Sequence, residues 1–245
     1  MSDLAFDIDW ADPQGARGEE LRATWATLRI TVDGEPVTRV LDEQVQTVRD
    51  YVYTPLYPLA EWLVSHWWQL QYEVQSPHRV VNGEFTRRHS LSSAREGFAL
   101  PALLIEPHGD SVRLQWEPTR VPHAPLEFLG SGKAHVEPDA LASTLRDFVS
   151  KVVARLDAFR ITDTFLQEEW ASLESLDGDE VQFCRAAGAL GLDPFGLDEE
   201  TTLSIAAAAG HLPEELMVEF FSAVDIAGLE NEATSIAQAL RFVSE

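Results

Sequence analysis

Cysteine is almost missing: Cys184 stands alone among 245 residues, which excludes an intramolecular disulfide and any zinc site built from several thiolates. Basic charge is scarce as well. Lys133 and Lys151 are the only lysines, and 18 Lys and Arg face 41 Asp and Glu for a formal charge of −23. The deficit is uneven, because residues 151–245 hold 19 acidic side chains against 5 basic ones and residues 1–150 hold 22 against 13. Such a surface repels a phosphate backbone, so nucleic acid is not expected as a direct partner. It serves solubility, or it docks a basic protein. No apolar run approaches the roughly 20 residues needed to span a bilayer. The start, Met1-Ser2-Asp3-Leu4, has neither the basic residues nor the apolar stretch of a signal peptide. No membrane partner is expected, and the expected location is cytoplasmic.

The chemistry-bearing motifs are also lacking. None of the seven histidines is followed by Glu or stands four residues from another, so the paired imidazoles of a zincin helix are absent. Gly130-Ser131-Gly132-Lys133 resembles the end of a phosphate loop, but Glu127 and Ala134 occupy the positions that need Gly and Ser or Thr. A dinucleotide fingerprint would want Gly at His135, and no Gly-x-Ser-x-Gly elbow occurs. No catalytic residue, metal ligand or cofactor is expected. Asp193-Pro194-Phe195-Gly196-Leu197-Asp198-Glu199-Glu200 lacks calcium-loop spacing and reads as a turn ahead of an acid-started helix. Cys184 reads as a core thiol.

What is abundant is tryptophan in one place. Trp62, Trp67 and Trp68 fall within seven residues of Tyr53–Trp68, and large aromatics supply much of the energy of cores and interfaces. Pro55 and Pro58 fit the first turn of a helix running to about Glu73. Leu59, Leu63, Trp67 and Leu70 share its core face, with Trp62, His66, Gln69 and Glu73 on a neighbouring stripe.

Elsewhere, residues 1–20 are polar and read as a lead-in. Thr24–Val32 alternates like a half-buried strand, and Asp33-Gly34 is a hairpin turn before a strand at 36–41. Leu103–Glu106 and Ser111–Trp116 form a second hairpin, and 126–136 one further strand bent at Gly130 and Gly132. The stretch 87–97 has no clear period beyond a possible helical turn at 92–96. Pro138 opens a long amphipathic helix to Phe159, and helices are expected near 162–174, 179–190, 198–209, 213–224 and 227–243. Strands followed by helices give an α+β class: a mainly antiparallel sheet with the Trp-rich helix over 1–160, then an acidic all-α domain over 161–245.

The candidate binding residues form two groups. Arg87, Arg88 and His89 are the concentrated cationic cluster of an acidic chain, suited to a phosphate or carboxylate or to internal pairing with the surplus acids. Trp62 and Trp68 carry surface away from the core stripe that suits stacking on a ligand or another domain, burial being the plainer reading. His66 lies between them as a packed, hydrogen-bonded histidine.

Tyr57-Pro58-Leu59-Ala60-Glu61-Trp62-Leu63, followed by His66-Trp67-Trp68-Gln69-Leu70, resembles the N-terminal, non-protease region of bacterial ImmA/IrrE-type metallopeptidase proteins. The likeness extends through Arg88-His89, Glu96-Gly97, Leu100-Pro101, the strand ending at Trp116, Phe183–Ala187 and Leu190–Pro194. In that family a zinc protease domain with a His-Glu-x-x-His helix lies beyond such a region, and relatives cleave repressors in stress and mobile-element responses. No such helix occurs up to Glu245, so no zinc ligand or catalytic Glu carries over to any residue here. The resemblance implies a non-catalytic sensory or substrate-positioning region that works with a protease domain or another protein. The alternatives are an acidic, antitoxin-like or immunity-like partner of a basic protein, and a binder of small anions.

Overall fold

The computed structural model describes residues 2–12, 18–75, 82–94, 98–122, 124–162, 164–176, 178–189 and 191–196. The chain opens with β1 (Leu4–Trp10), the short α1 (Glu19–Ala23) and β2 (Trp25–Val32). The polar lead-in expected at the N-terminus is therefore a strand. Leu4 and Phe6 point into the core while Asp7 and Asp9 reach outward, an alternation that the acidic residues disguise. β1 pairs antiparallel along its whole length with β2, from Leu4 opposite Val32 to Trp10 opposite Ala26. Ala26, Leu28, Ile30 and Val32 on β2 are buried.

Asp33 and Gly34 both take positive φ, 53° and 79°, the backbone that a two-residue hairpin turn requires. The returning strand is far shorter than the expected 36–41. β3 (Glu35–Pro36) pairs for two residues. Thr38 then interrupts the ladder: its hydroxyl accepts the Ile30 N–H and donates to the Asp50 carbonyl. The chain leaves into β4 (Val40–Asp42) and β5 (Thr47–Arg49), and β6 (Val52–Pro55) returns to finish the free half of the β2 edge.

The Trp-rich segment is two helices rather than one. α2 (Tyr57–Ser65) stops at His66, whose φ of −115° and ψ of 18° lie off the helix, and α3 (Trp67–Tyr72) starts anew before a 3-10 turn at Glu73–Gln75. The His66 amide and ring Nδ1 both approach the Trp62 carbonyl, at 3.1 and 2.9 Å. A side chain competing for a ladder acceptor is one of the few causes of a sharp helix break.

In the stretch 87–97 stand the end of α4 (Gly83–His89) and a 3-10 turn at Leu91–Ala94. Asn82 caps α4, its side-chain oxygen accepting from Glu84 N and Phe85 N. The second hairpin forms as expected, from β7 (Ala102–His108) and β8 (Ser111–Glu117). After β9 (Thr119–Arg120), the single bent strand expected over 126–136 is two strands in different sheets, β10 (Leu126–Phe128) and β11 (Gly132–Val136). The Trp116 indole sits where a Cβ on Gly132 would stand and crowds Gly130, so the crossing between sheets needs both glycines.

Among the described residues three antiparallel sheets result: β1, β3 and β6 around β2; β5-β4-β10-β9; and β11-β8-β7. The long α5 (Pro138–Ala158) buries Leu141, Leu145, Phe148, Val149, Val152 and Leu156, with the Phe148 ring 5.0 Å from that of Phe6. α6 (Phe165–Ser175) begins with a Thr164–Gln167 capping box. α7 (Gly178–Ala189) follows, with Cys184 buried on it. α6 packs on α2, and α7 on α3. Trp170 meets Trp67 edge to face at 5.4 Å. The described chain is α+β, and the helices expected at 198–209, 213–224 and 227–243 lie outside the described residues.

Candidate functional site

The broken α2–α3 pair carries polar residues on two sides, and the structure treats them differently. On the α3 side, α4 brings Arg88 onto Glu73, with Nε 3.1 Å from Oε2 and Nη2 2.7 Å from Oε1. This two-point fork is the stronger form of carboxylate pairing. His89 is fully buried, its ring stacked on Phe85 at 3.8 Å. Its Nδ1 lies 2.9 Å from the Phe85 carbonyl, its Nε2 3.1 Å from the Gln69 carbonyl and 3.6 Å from Glu73 Oε2. Burial holds the imidazole below its ordinary range, against the pull of Glu73 and the two carbonyls.

The chain after α7 closes this cluster. Gln69 Nε2 donates to the Leu192 carbonyl at 2.9 Å, and Gly191, at φ 75°, lies where any Cβ would strike Glu73 and Arg88. Of the two readings of Arg87, Arg88 and His89, anion binding and internal pairing with the surplus acids, Arg88 takes the second. Arg88 and His89 turn inward to an acid of the same chain, and Arg87 stays on the surface. Trp68 is no open platform either: it is buried, stacks on Tyr72 at 5.9 Å and covers Gly188.

On the α2 side the face is partly covered: Tyr57 and Trp62 are buried, Pro58, Glu61 and His66 are half-buried and Ser65 is exposed. Tyr57, Glu61 and Ser65 form one i, i+4 row, and Pro58, Trp62 and His66 form the next. Together they floor a groove of about 620 Å³, within the roughly 300–1,000 Å³ common for ligand sites. Glu20 and Leu21 of α1 form one wall, Ser93, Ala94 and Phe98 another, and Phe165 at the start of α6 the third. Phe165 is 47% exposed, a large apolar side chain left in water. The Trp62 ring leans on His66 at 5.1 Å. Among the described residues that line it, the groove holds two carboxylates and no Lys or Arg.

Burial raises the Glu61 carboxyl above the ordinary range; the Tyr57 hydroxyl's hydrogen bond opposes this, and the Glu20 charge adds to it. Tyr57 is raised too, by burial and then by the Glu61 charge, against the Leu166 amide and Thr164. His66 is lowered by burial, with the Trp62 carbonyl opposing. Burial thus favours the neutral forms of Tyr57, His66 and Glu61 in an aromatic groove that Glu20 also lines.

A second groove of about 650 Å³ runs over Trp116 at the β10–β11 crossing, but its rim mixes Asp33 and Glu35 with Arg39 and Lys133 and selects no charge. Among the described residues no three His, Cys, Asp or Glu side chains stand where they could hold a metal ion. No helix there is long and apolar enough to cross a membrane. Of the expected binding residues, Trp62 and His66 share the open groove, while Trp68, Arg88 and His89 belong to the closed side. Sequence reasoning passed over Tyr57, Glu61, Glu20, Phe98 and Phe165. Glu61 stands four residues after Tyr57 in the aromatic motif itself, and that spacing was the available signal. Compared with protein-family models, curated proteins and solved structures, the chain finds no match.

Proposed function

We propose that this chain is a non-catalytic recognition region that holds a segment of another polypeptide, the part played ahead of the protease domain in the ImmA/IrrE-type metallopeptidases that it resembles. In this reading the partner is a protease domain or its substrate, met in the cytoplasm. The acidic segment that starts at 161 contributes to the recognition surface through Phe165 of α6. One observation carries the reading. The residues of the resemblance divide into a fully buried row, Leu59, Leu63, Trp67 and Leu70, and a second row that lines the aromatic groove, in which Tyr57 and Trp62 show only an edge, at 9% and 8% exposure, and Glu61 and His66 are half-buried. The groove thus draws on the same aromatic motif that builds the core.

The test is selection of random linear peptides on the full chain, followed by re-binding to a Phe165→Ala variant with unchanged thermal stability. Peptides that bind the native chain and lose most of that binding on the variant support the reading. An empty selection overturns it, and metal-dependent peptide cleavage by the purified chain overturns the non-catalytic part.

A further inference from the structure

Acidic side chains alone say little in a chain with 41 of them. The groove at Glu61 differs in three respects. It is a cavity of about 620 Å³; it is lined by Tyr57, Trp62, Phe98 and Phe165; and the formal charges among its described lining residues are both acidic, with the half-buried Glu61 near Glu20. A carboxylate placed against rings and a like charge is poorly solvated and lacks a counter-ion. The faces of Trp, Tyr and Phe rings attract cations. Across the same helix pair, this chain solves that problem for Glu73 by delivering Arg88 in a two-point fork.

We infer that the groove is a seat for an arginine side chain of the bound polypeptide, the guanidinium pairing with Glu61 and Glu20 and lying flat on the aromatic walls. Arginine fits better than lysine, because its planar, weakly hydrated head forks onto a carboxylate and stacks on rings at once. The net charge of −23 draws such basic segments in. Guanidinium binding favours the ionised Glu61, so the complex releases a proton in the pH range where the free carboxyl is still partly protonated. This inference rests on the recognition reading above and names the chemistry of the bound segment.

Four heptapeptide libraries with identical randomised flanks test it, differing only in a fixed central residue: arginine, lysine, citrulline or glutamate. Each is bound to the full chain and to Glu61→Gln and Glu20→Gln variants of unchanged stability. The expected result is arginine over lysine over citrulline, with arginine about tenfold above citrulline and that preference largely lost in Glu61→Gln. Equal retention of arginine and citrulline overturns the cation seat and leaves the recognition reading standing. An arginine preference that survives both variants places the cation elsewhere on the acidic surface and also overturns it. Preference for glutamate reverses the charge argument, and no retention of any library overturns both readings.

Discussion

The two sides of the α2–α3 pair carry the same kinds of residue and come to opposite ends. On one, Glu73 is 1% exposed and forked by Arg88, beside a histidine with no exposure at all. On the other, Glu61 sits with His66 and Glu20 in a groove that has no Lys or Arg among its described lining residues. The difference lies in what the rest of the chain delivers. α4, capped by Asn82, carries an arginine to Glu73, and the turn after α7 seals it with Gly191. To Glu61 the fold brings another acid and a ring. A closed ion pair positions elements; an open carboxylate among rings is arranged for a counter-charge from outside.

The sharpest way to break this contrast is to open the closed side. Glu73→Gln leaves Arg88 without its counter-charge, and losing one partner of a buried pair typically costs ~3–5 kcal/mol. Arg88 keeps about a quarter of its side chain in water, so a loss of about 3 kcal/mol is expected, at the lower end of that range. A urea unfolding midpoint measures it. Next in size is Gly188→Ala. Its Cβ would strike the Trp68 backbone, and such overpacking costs about 1–3 kcal/mol. An unchanged midpoint would show that α7 does not seat on α3.

A pH series sharpens the comparison further. The folded value of His89 lies below its unfolded one, so its stabilisation is full above the ordinary histidine range and is lost as pH falls through that range toward the depressed value. Stability should decline with acidification from about pH 6.5 by up to ~1.4 kcal/mol per pH unit, and His89→Asn should flatten that limb. Glu61 has the opposite sign. Its raised folded value means a penalty that is absent below the ordinary carboxylate range and grows as pH rises toward the raised value. Glu61→Gln should therefore gain a little at pH 7, about a few tenths of a kcal/mol given the water that still reaches the groove, and nothing at pH 3.

Periodicity made the long elements legible. β2, the β7–β8 hairpin and α5 follow from alternation and helical spacing, and α6 shows its Thr164–Gln167 cap in the sequence. Strands of two to four residues such as β3, β4, β6 and β10 are too short to show a period, and they exist through their neighbours. The break at His66 was invisible because Leu63, Trp67 and Leu70 keep helical spacing across it. In the site, Trp62 and His66 were legible as a polar edge to an aromatic helix. Glu20 and Phe165 reach the same groove from distant parts of the chain, and only packing brings them there. Arg88 pairs with Glu73 fifteen residues away through a cap and a turn, a contact that no local rule anticipates.

The most direct test follows the indole N–H and imidazole resonances of the full chain during titration with the arginine-centred peptides. The account predicts shifts at Trp62 and His66, with Trp68 and His89 unmoved. Shifts at Trp68 and His89, with Trp62 and His66 silent, would place recognition on the side described here as closed and contradict it.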